Sequence, residues 1–296
     1  MIIMKKLLFL ILLLIYLQPL NAQNKKAKHV VLIGIDGLGA YSFKKADMPN
    51  IKKLMERGSW SLEARSVLPS SSAPNWASMV MGAGPELHGF DTWGSKIPDH
   101  PSRVLDEYGM FPTVYGLLRK KMPNAEIGVI YEWEGIGYLF PKAAVNYDKH
   151  TSSDTASTTE QVNYLLSKKP NFLFAYFHNV DVTGHEKGHD TPEYYAAVKT
   201  VDEQIGEVLK AIRDADMEKH TIVILTADHG GIGKGHGSTS MEEMQIPWII
   251  AGPGIKQNYQ LQSSIMTFDT AATIARIFNL AIPQVWTGKA VSEAFK

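Results

Sequence analysis

The chain has 296 residues, with 30 Lys and Arg against 30 Asp and Glu, so its formal net charge is zero, and nothing in the balance points to nucleic-acid wrapping or to an anionic surface as its main partner. At 45% hydrophobic, 10% aromatic and 20% charged residues it has the apolar material for a sizeable core, and disorder over most of its length is excluded. The absence of cysteine removes disulfide scaffolds, thiolate zinc sites and cysteine nucleophiles, so any metal must be held by His, Asp or Glu.

Lys5 and Lys6 precede an apolar run from Leu7 to Leu17, followed by Pro19 and the small residue Ala22. This order is that of a secretory signal over residues 1–22, and the run is too short to span a bilayer. The expectation is an exported chain, periplasmic or secreted, beginning at Gln23 and without a stable membrane anchor; an uncleaved N-terminal anchor is the alternative. The run His29 to Ile35 then reads as a buried strand ending at Asp36, and Ser70 to Trp76 lead into a helix over Ala77 to Met81 with Pro74 in its first turn. From Thr92 to Lys149 the pattern is less regular and rich in Pro, Tyr and Trp, which predicts loops or a small insertion over a site. Within it, Ile127 to Tyr131 reads as a strand ending at Glu132.

Thr158 to Lys168 has a helical pattern, Phe172 to Val180 reads as a strand ending at Asp181, and Thr221 to Thr226 as one ending just before Asp228. After Asp190-Thr191-Pro192, the residues Tyr194, Val198, Val201, Ile205, Val208 and Ile212 recur at helical spacing, and Met266 to Phe278 looks similar. Unbroken apolar strands alternating with helices predict an α/β fold with a mostly parallel central sheet, helices on both faces and ligands beyond the carboxyl ends of the strands. No repeat or linker divides residues 23–296, so a single catalytic domain is expected.

His185-Glu186-Lys187-Gly188-His189 matches the zinc-protease pattern H-E-x-x-H, which requires both imidazoles on one helical face. Gly184, Gly188 and the flanking Asp181 and Asp190 argue for a loop instead, leaving Asp181 and His185 as two ligands four apart or as a solvated turn. Asp228-His229-Gly230 and the glycine-rich stretch to His236 offer a carboxylate and two imidazoles to a divalent cation, or form a purely structural loop. Lys234 is followed by Gly235, so phosphate-loop spacing is not met. Asp36 alone reads as a cap or turn residue. Ser72, at a helix entry, is either a capping residue or a hydroxyl placed where a phosphoryl group would sit.

Taken in order, Asp36, Ser72, Asp181-x-x-x-His185, Asp228-His229 and His236 resemble the metal-and-nucleophile series of the alkaline phosphatase superfamily. They are most similar to its type I phosphodiesterase/nucleotide pyrophosphatase branch, whose nucleophile segment reads Thr-x-Pro-Asn-His. The counterparts here are Ser72-Ala73-Pro74-Asn75-Trp76, then Met81-Gly82 and Pro85-Glu86-Leu87-His88-Gly89. The resemblance implies an alkaline phosphatase-like fold and two divalent ions, expected to be zinc. One would be held by Asp181, His185 and His236, the other by Asp36, Asp228, His229 and the Ser72 oxygen, with Ser72 forming a covalent phosphoseryl intermediate.

The asparagine that the branch uses to hold a phosphate oxygen has no clear counterpart, and Asn75 or Thr92 is the candidate replacement. A small phosphate ester, a nucleotide among the options, is the expected partner, with no binding of nucleic-acid duplexes. The leading expectation is a phosphodiesterase or nucleotide pyrophosphatase. A phosphomonoesterase with the same ions is the alternative, for which only Lys234, Lys142 and Arg65 are candidate cations, and a binding module without turnover is the other. Sulfatase chemistry is disfavoured because Trp76 stands where the formylglycine motif needs arginine. Trp76, Trp93, Tyr131, Trp133 and Tyr138 are candidates for stacking on a base or sugar, or for packing.

Overall fold

The computed structural model describes residues 27–296; the signal-like segment lies outside them. Its elements, joined by loops and short 3-10 turns, are β1 (His29–Ile35), α1 (Pro49–Glu56), β2 (Gly58–Arg65), α2 (Ser72–Met81), α3 (Pro85–His88), α4 (Val114–Lys121), β3 (Ile127–Tyr131) and β4 (Tyr147–His150). They continue with α5 (Asp154–Lys168), β5 (Phe172–Phe177), α6 (Asn179–Lys187), α7 (Pro192–Asp214), β6 (Thr221–Ala227), α8 (Met241–Met244), β7 (Gln245–Ala251), β8 (Tyr259–Gln260) and α9 (Asp269–Phe278).

Among the described residues the eight strands form one sheet in the order β4-β3-β5-β1-β6-β7-β2-β8. Pairing is parallel from β4 through β6, β7 runs antiparallel to both β6 and β2, and β8 is parallel to β2. Every residue of β5 and β6, and of β1 from Val30 onward, is buried. Because successive side chains point to opposite faces, both faces of the sheet are covered. Helices α1, α5 and α6 pack on α7, and α2 and α4 pack on α9. Among the described residues no helix is long and apolar enough to cross a membrane.

The parallel core matches the strands read from the sequence, with shifted ends. Strand β5 stops at Phe177, not Val180, because helix α6 begins at Asn179. Helix α5 begins at Asp154 rather than Thr158, where the Ser153 hydroxyl accepts the Ala156 N–H. Helix α9 begins at Asp269, whose carboxylate accepts the Met266 N–H. The stretch expected to be irregular over 92–149 is so in its first part and again from 132 to 146, where only 3-10 turns and loops occur; between these, α4 leads into β3, and β3 with β4 forms one edge of the sheet.

Gly34 in β1 shows how tightly the core supports the site. A Cβ there would lie 2.6 Å from a Trp76 ring carbon and 2.7 Å from one of Phe174. Trp76 is fully buried and donates its indole N–H to Asp36, so displacing the ring also disturbs that carboxylate. Gly34→Ala is expected to lower stability by about 1–3 kcal/mol, the usual range for overpacking. Urea unfolding should show a lower midpoint with an unchanged slope.

Candidate active site

Three neighbouring parallel strands deliver the acidic residues to one edge of the sheet. Asp36 follows β1, Asp181 lies in the first turn of α6 just beyond β5, and Asp228-His229 follow β6. These strands are adjacent in the order β5-β1-β6, so three carboxylates converge although 145 positions separate Asp36 from Asp181 in the sequence. Ser72 is the first residue of α2, and the loop after β6 brings His236 back over the same point.

The segment around His185 differs from the expected loop. It is helical from Asn179 to Lys187, so Asp181 and His185 face one another across a single turn, with Nε2 of His185 3.4 Å from Oδ2 of Asp181. The protease pattern still fails. Gly188 ends the helix at φ +101°, and the His189 ring packs where Cβ atoms on Gly184 and Gly231 would otherwise lie.

The three imidazoles share one arrangement. Nδ1 of His185 contacts the Lys234 carbonyl at 2.9 Å, Nδ1 of His229 the Gly230 carbonyl at 2.8 Å, and Nδ1 of His236 the Ser70 carbonyl at 3.1 Å. A carbonyl only accepts, so each Nδ1 carries the proton and each Nε2 presents a lone pair to the centre. Nε2 of His185 and of His236 are 3.1 Å apart; two lone pairs at that distance repel unless a proton or a metal cation lies between them. Nε2 of His229 is 3.2 Å from Oδ2 of Asp228, 3.4 Å from Oδ1 of Asp36 and 3.2 Å from Oγ of Ser72.

The carboxylates point the same way. Oδ1 of Asp36, Oδ1 of Asp181 and Oδ2 of Asp228 are buried without hydrogen-bond partners, while Oδ2 of Asp36 accepts from Tyr176 and Trp76 and Oδ1 of Asp228 from the Gly37 N–H. Orphaned buried carboxylate oxygens facing imidazole lone pairs are costly without a compensating positive charge. The donors therefore fit divalent cations. Asp181, His185 and His236 have ligand atoms within 4.8 Å of one another, as do Asp36, Asp181 and His229. Asp181 thus belongs to both groups, where the resemblance implied one, and Asp228, implied as a ligand beside Asp36 and His229, is in neither.

Burial and the nearby Asp181 charge push the Asp36 carboxyl up to about 7, and burial, Asp36 and Asp181 push Asp228 well above the usual range. Burial opposes ionisation of Asp181, but His185, His229 and His236 outweigh it and hold its carboxyl below the ordinary value. The Asp181 hydrogen bond raises His185 to about 9, and burial lowers His229 to about 3. A cation-free folded chain therefore keeps protons on Asp36 and Asp228 that the unfolded chain releases. Their stabilisation is complete below the unfolded carboxyl value and fades as pH rises through about 7. Bound cations displace these protons and the one on His185, so the rise in melting temperature on adding zinc should be larger at pH 8 than at pH 5.5. Calorimetric scans at the two pH values check this; an equal or smaller rise at pH 8 contradicts the assignment.

A cavity of about 740 Å³ opens over the cluster, with Ser72, Asp181, His185, His236, Thr92, Trp93, Trp133 and His178 in its wall. Asn75, expected to hold substrate, is not among these residues. It is fully buried, its Oδ1 accepts the Val67 N–H and its Nδ2 donates to the carbonyls of Val67, Pro69 and Ser71, so it staples the loop before Ser72. Thr92 does reach the cavity. Of the candidate aromatics, Trp93 and Trp133 line it; Trp76 and Tyr131 are buried, and Tyr138 pairs with Glu134 and Lys96. Lys234, Lys142 and Arg65 are absent from the cavity wall, and Lys142 is engaged with Asp148. His88 donates to Ser78 and accepts from the Phe90 N–H, bracing α2 from behind.

Sequence reasoning missed His178, which pairs through Nδ1 with Glu132 at the end of β3. The only signal was the polar residue ending each strand; which of them meet depends on strand order.

A sequence model of the family described as type I phosphodiesterase / nucleotide pyrophosphatase matches residues 30–93 and 121–236. Similar proteins include an uncharacterized pyrophosphatase/phosphodiesterase of Schizosaccharomyces pombe, 26% identical over 71% of this chain and 46% of its own length. Venom phosphodiesterase CdcPDE of Crotalus durissus collilineatus is 26% identical over 68% of this chain and 26% of its own length. Arylsulfatase K of Mus musculus is 30% identical over 51% of this chain and 31% of its own length. The chain thus spans less than half the length of these relatives. Among solved structures, an inactive variant of murine ectonucleotide pyrophosphatase/phosphodiesterase 5 in complex with AMP has a TM-score of 0.72 at 16% identity, covering 91% of this chain and all of that one. A 2-O GAG sulfatase also reaches 0.72, at 19% identity, covering 91% of this chain and 74% of that one; these likenesses bear on the fold, which is alkaline phosphatase-like. With the match extending over more than half of its residues and including Asp36, Ser72 and every carboxylate and imidazole of the cluster, the chain belongs to the type I phosphodiesterase/nucleotide pyrophosphatase family.

Proposed function

We propose that the protein is a metal-dependent phosphoric ester hydrolase, acting on diesters or nucleotide pyrophosphates through a covalent phosphoseryl intermediate. The observation that carries this reading is the Ser72 hydroxyl, 3.2 Å from Nε2 of His229 and facing a cluster of orphaned carboxylate oxygens and imidazole lone pairs. Two zinc ions, when bound, would polarise the ester and lower the proton affinity of the serine. Asp181, His185 and His236 would hold one, and Asp36, Asp228, His229 and Ser72 Oγ the other, with Asp181 shared between them. In the first half-reaction the Ser72 Oγ–P bond forms as the P–O bond to the leaving group breaks, an alcoholate from a diester or a phosphate from a pyrophosphate, and the proton that Ser72 gives up passes through solvent to that group. In the second, water attacks phosphorus, the Ser72 Oγ–P bond breaks and the serine regains its proton. The helix entry places Oγ where α2 begins, and Asn75 holds the preceding loop rigid.

Trp76 favours a phosphate over a sulfate ester. It occupies the position that a formylglycine motif gives to arginine, and it is buried with its N–H on Asp36. Trp93 and Trp133 offer aromatic faces to a nucleobase or other flat leaving group. The signal-like segment supports an exported location. The test is kcat/KM for bis(p-nitrophenyl) phosphate against p-nitrophenyl phosphate with zinc-loaded protein. A diester preference of tenfold or more, abolished by a chelator, is expected; a monoester preference overturns the subgroup, and activity on neither overturns the catalytic reading.

A further inference from the structure

The family's phosphate-binding asparagine has no clear counterpart here, Asn75 is spent on the backbone and the Thr92 hydroxyl at the cavity wall donates to Asp91, so a further group is needed to meet a phosphoryl oxygen. His178 is at the right place. It follows β5 directly, three residues before Asp181, and lines the same cavity as Ser72, His185 and His236. Two independent clamps fix it. The Asp154 carboxylate accepts the backbone N–H groups of His178 and Asn179, each at 2.9 Å, and Glu132 pairs with Nδ1 of the ring. Nε2 is left without a hydrogen-bond partner among the described residues. The ring also packs near Trp133, with centroids 6.5 Å apart, and near Tyr176 at 6.0 Å.

We infer that His178, oriented by Glu132, is the residue that donates a hydrogen bond to a non-bridging phosphoryl oxygen of the substrate. The inference rests on the phosphate-ester reading above and adds the contact that fixes the ester's orientation. A carboxylate on one nitrogen of a cavity-lining imidazole favours the charged ring and limits its freedom to turn, which leaves the other nitrogen as the donor. His178 is in neither cation group, so its removal leaves every proposed ligand in place. Glu132 acts only through the ring and is a positioning residue.

The experiment uses the full chain loaded with zinc and measures inorganic phosphate binding by titration calorimetry, which requires no turnover, beside ester kinetics. For His178→Ala, phosphate affinity and kcat/KM should each fall about 10- to 100-fold, the range for losing one charged hydrogen bond, with zinc content unchanged. Glu132→Gln should give a smaller loss of the same kind, and His178→Lys should restore part of the phosphate affinity. Unchanged phosphate binding in His178→Ala overturns the inference, as does loss of zinc from it, which would make His178 a support of the cation site. If the wild type binds phosphate through His178 yet hydrolyses no ester, the functional reading fails while this one stands.

Discussion

Replacing Ser72 by alanine should reduce kcat by roughly 10⁴-fold or more while the protein still binds zinc, because the substitution removes the only protein atom proposed to form a bond to phosphorus. The contrast between chemistry and binding matters. Ser72 Oγ is one of four donors proposed for the site around Asp36, Asp228 and His229, and the other three remain. The side chain is small and its residue is 6% exposed, so truncation leaves little cavity and the fold should persist. Ser72→Thr, which restores the hydroxyl type usual in the family, should keep activity within about tenfold of wild type. Rapid-quench kinetics with a fast-leaving p-nitrophenyl ester should show a burst near one equivalent in the wild type and none in Ser72→Ala. A Ser72→Ala protein that turns over at more than about a hundredth of the wild-type rate would mean that water attacks directly.

The chemistry of the site was legible where one residue type at one strand end sufficed. Asp36, Asp181 and Asp228 each follow an apolar run, and that local pattern survives whatever the neighbouring elements do. The fold class followed from the same runs, since strands buried on both faces leave no alternation to misread. What stayed hidden depended on contacts between distant segments. Strand β2 carries mixed polarity, Gly58-Ser59-Trp60-Ser61-Leu62-Glu63-Ala64-Arg65, because it lies next to the sheet's edge, and its antiparallel pairing with β7 has no local signature. Glycines around His185 argued against a helix, yet tertiary packing overrides that propensity of about 1 kcal/mol per glycine; His189 fits against Gly184 only because the glycine has no side chain. Asn75 was misassigned for the opposite reason. It stands in a motif beside the nucleophile, but a buried amide is taken up by whatever backbone it meets, and here four backbone groups claim it. The Glu132–His178 pair required knowing that β3 and β5 are neighbours.

The sharing of Asp181 between two groups of ligands leads to the second large effect. Its Oδ2 is 3.4 Å from Nε2 of His185 and its Oδ1 is 3.6 Å from Nε2 of His236, while it also lies within ligand distance of Asp36 and His229. Asp181→Asn keeps the shape and removes the charge that offsets cations on both sides. Zinc bound per chain should fall by more than one ion, and kcat/KM for the preferred ester by at least about 10³-fold. Asp228→Asn is the control. Asp228 belongs to neither group of mutually close ligand atoms and contacts His229 at 3.2 Å, so its loss should weaken only the proposed site around His229 and leave the other near its wild-type affinity. The stabilisation that zinc gives should follow the same order, since a ligand raises stability by RT ln(1 + [L]/Kd) at each site it occupies: largest for wild type, intermediate for Asp228→Asn and smallest for Asp181→Asn. Equilibrium dialysis with elemental analysis reads the first quantity and calorimetric scanning the second. Loss of a single ion from Asp181→Asn, with the remaining one bound as tightly as before, would assign Asp181 to the His185–His236 site alone.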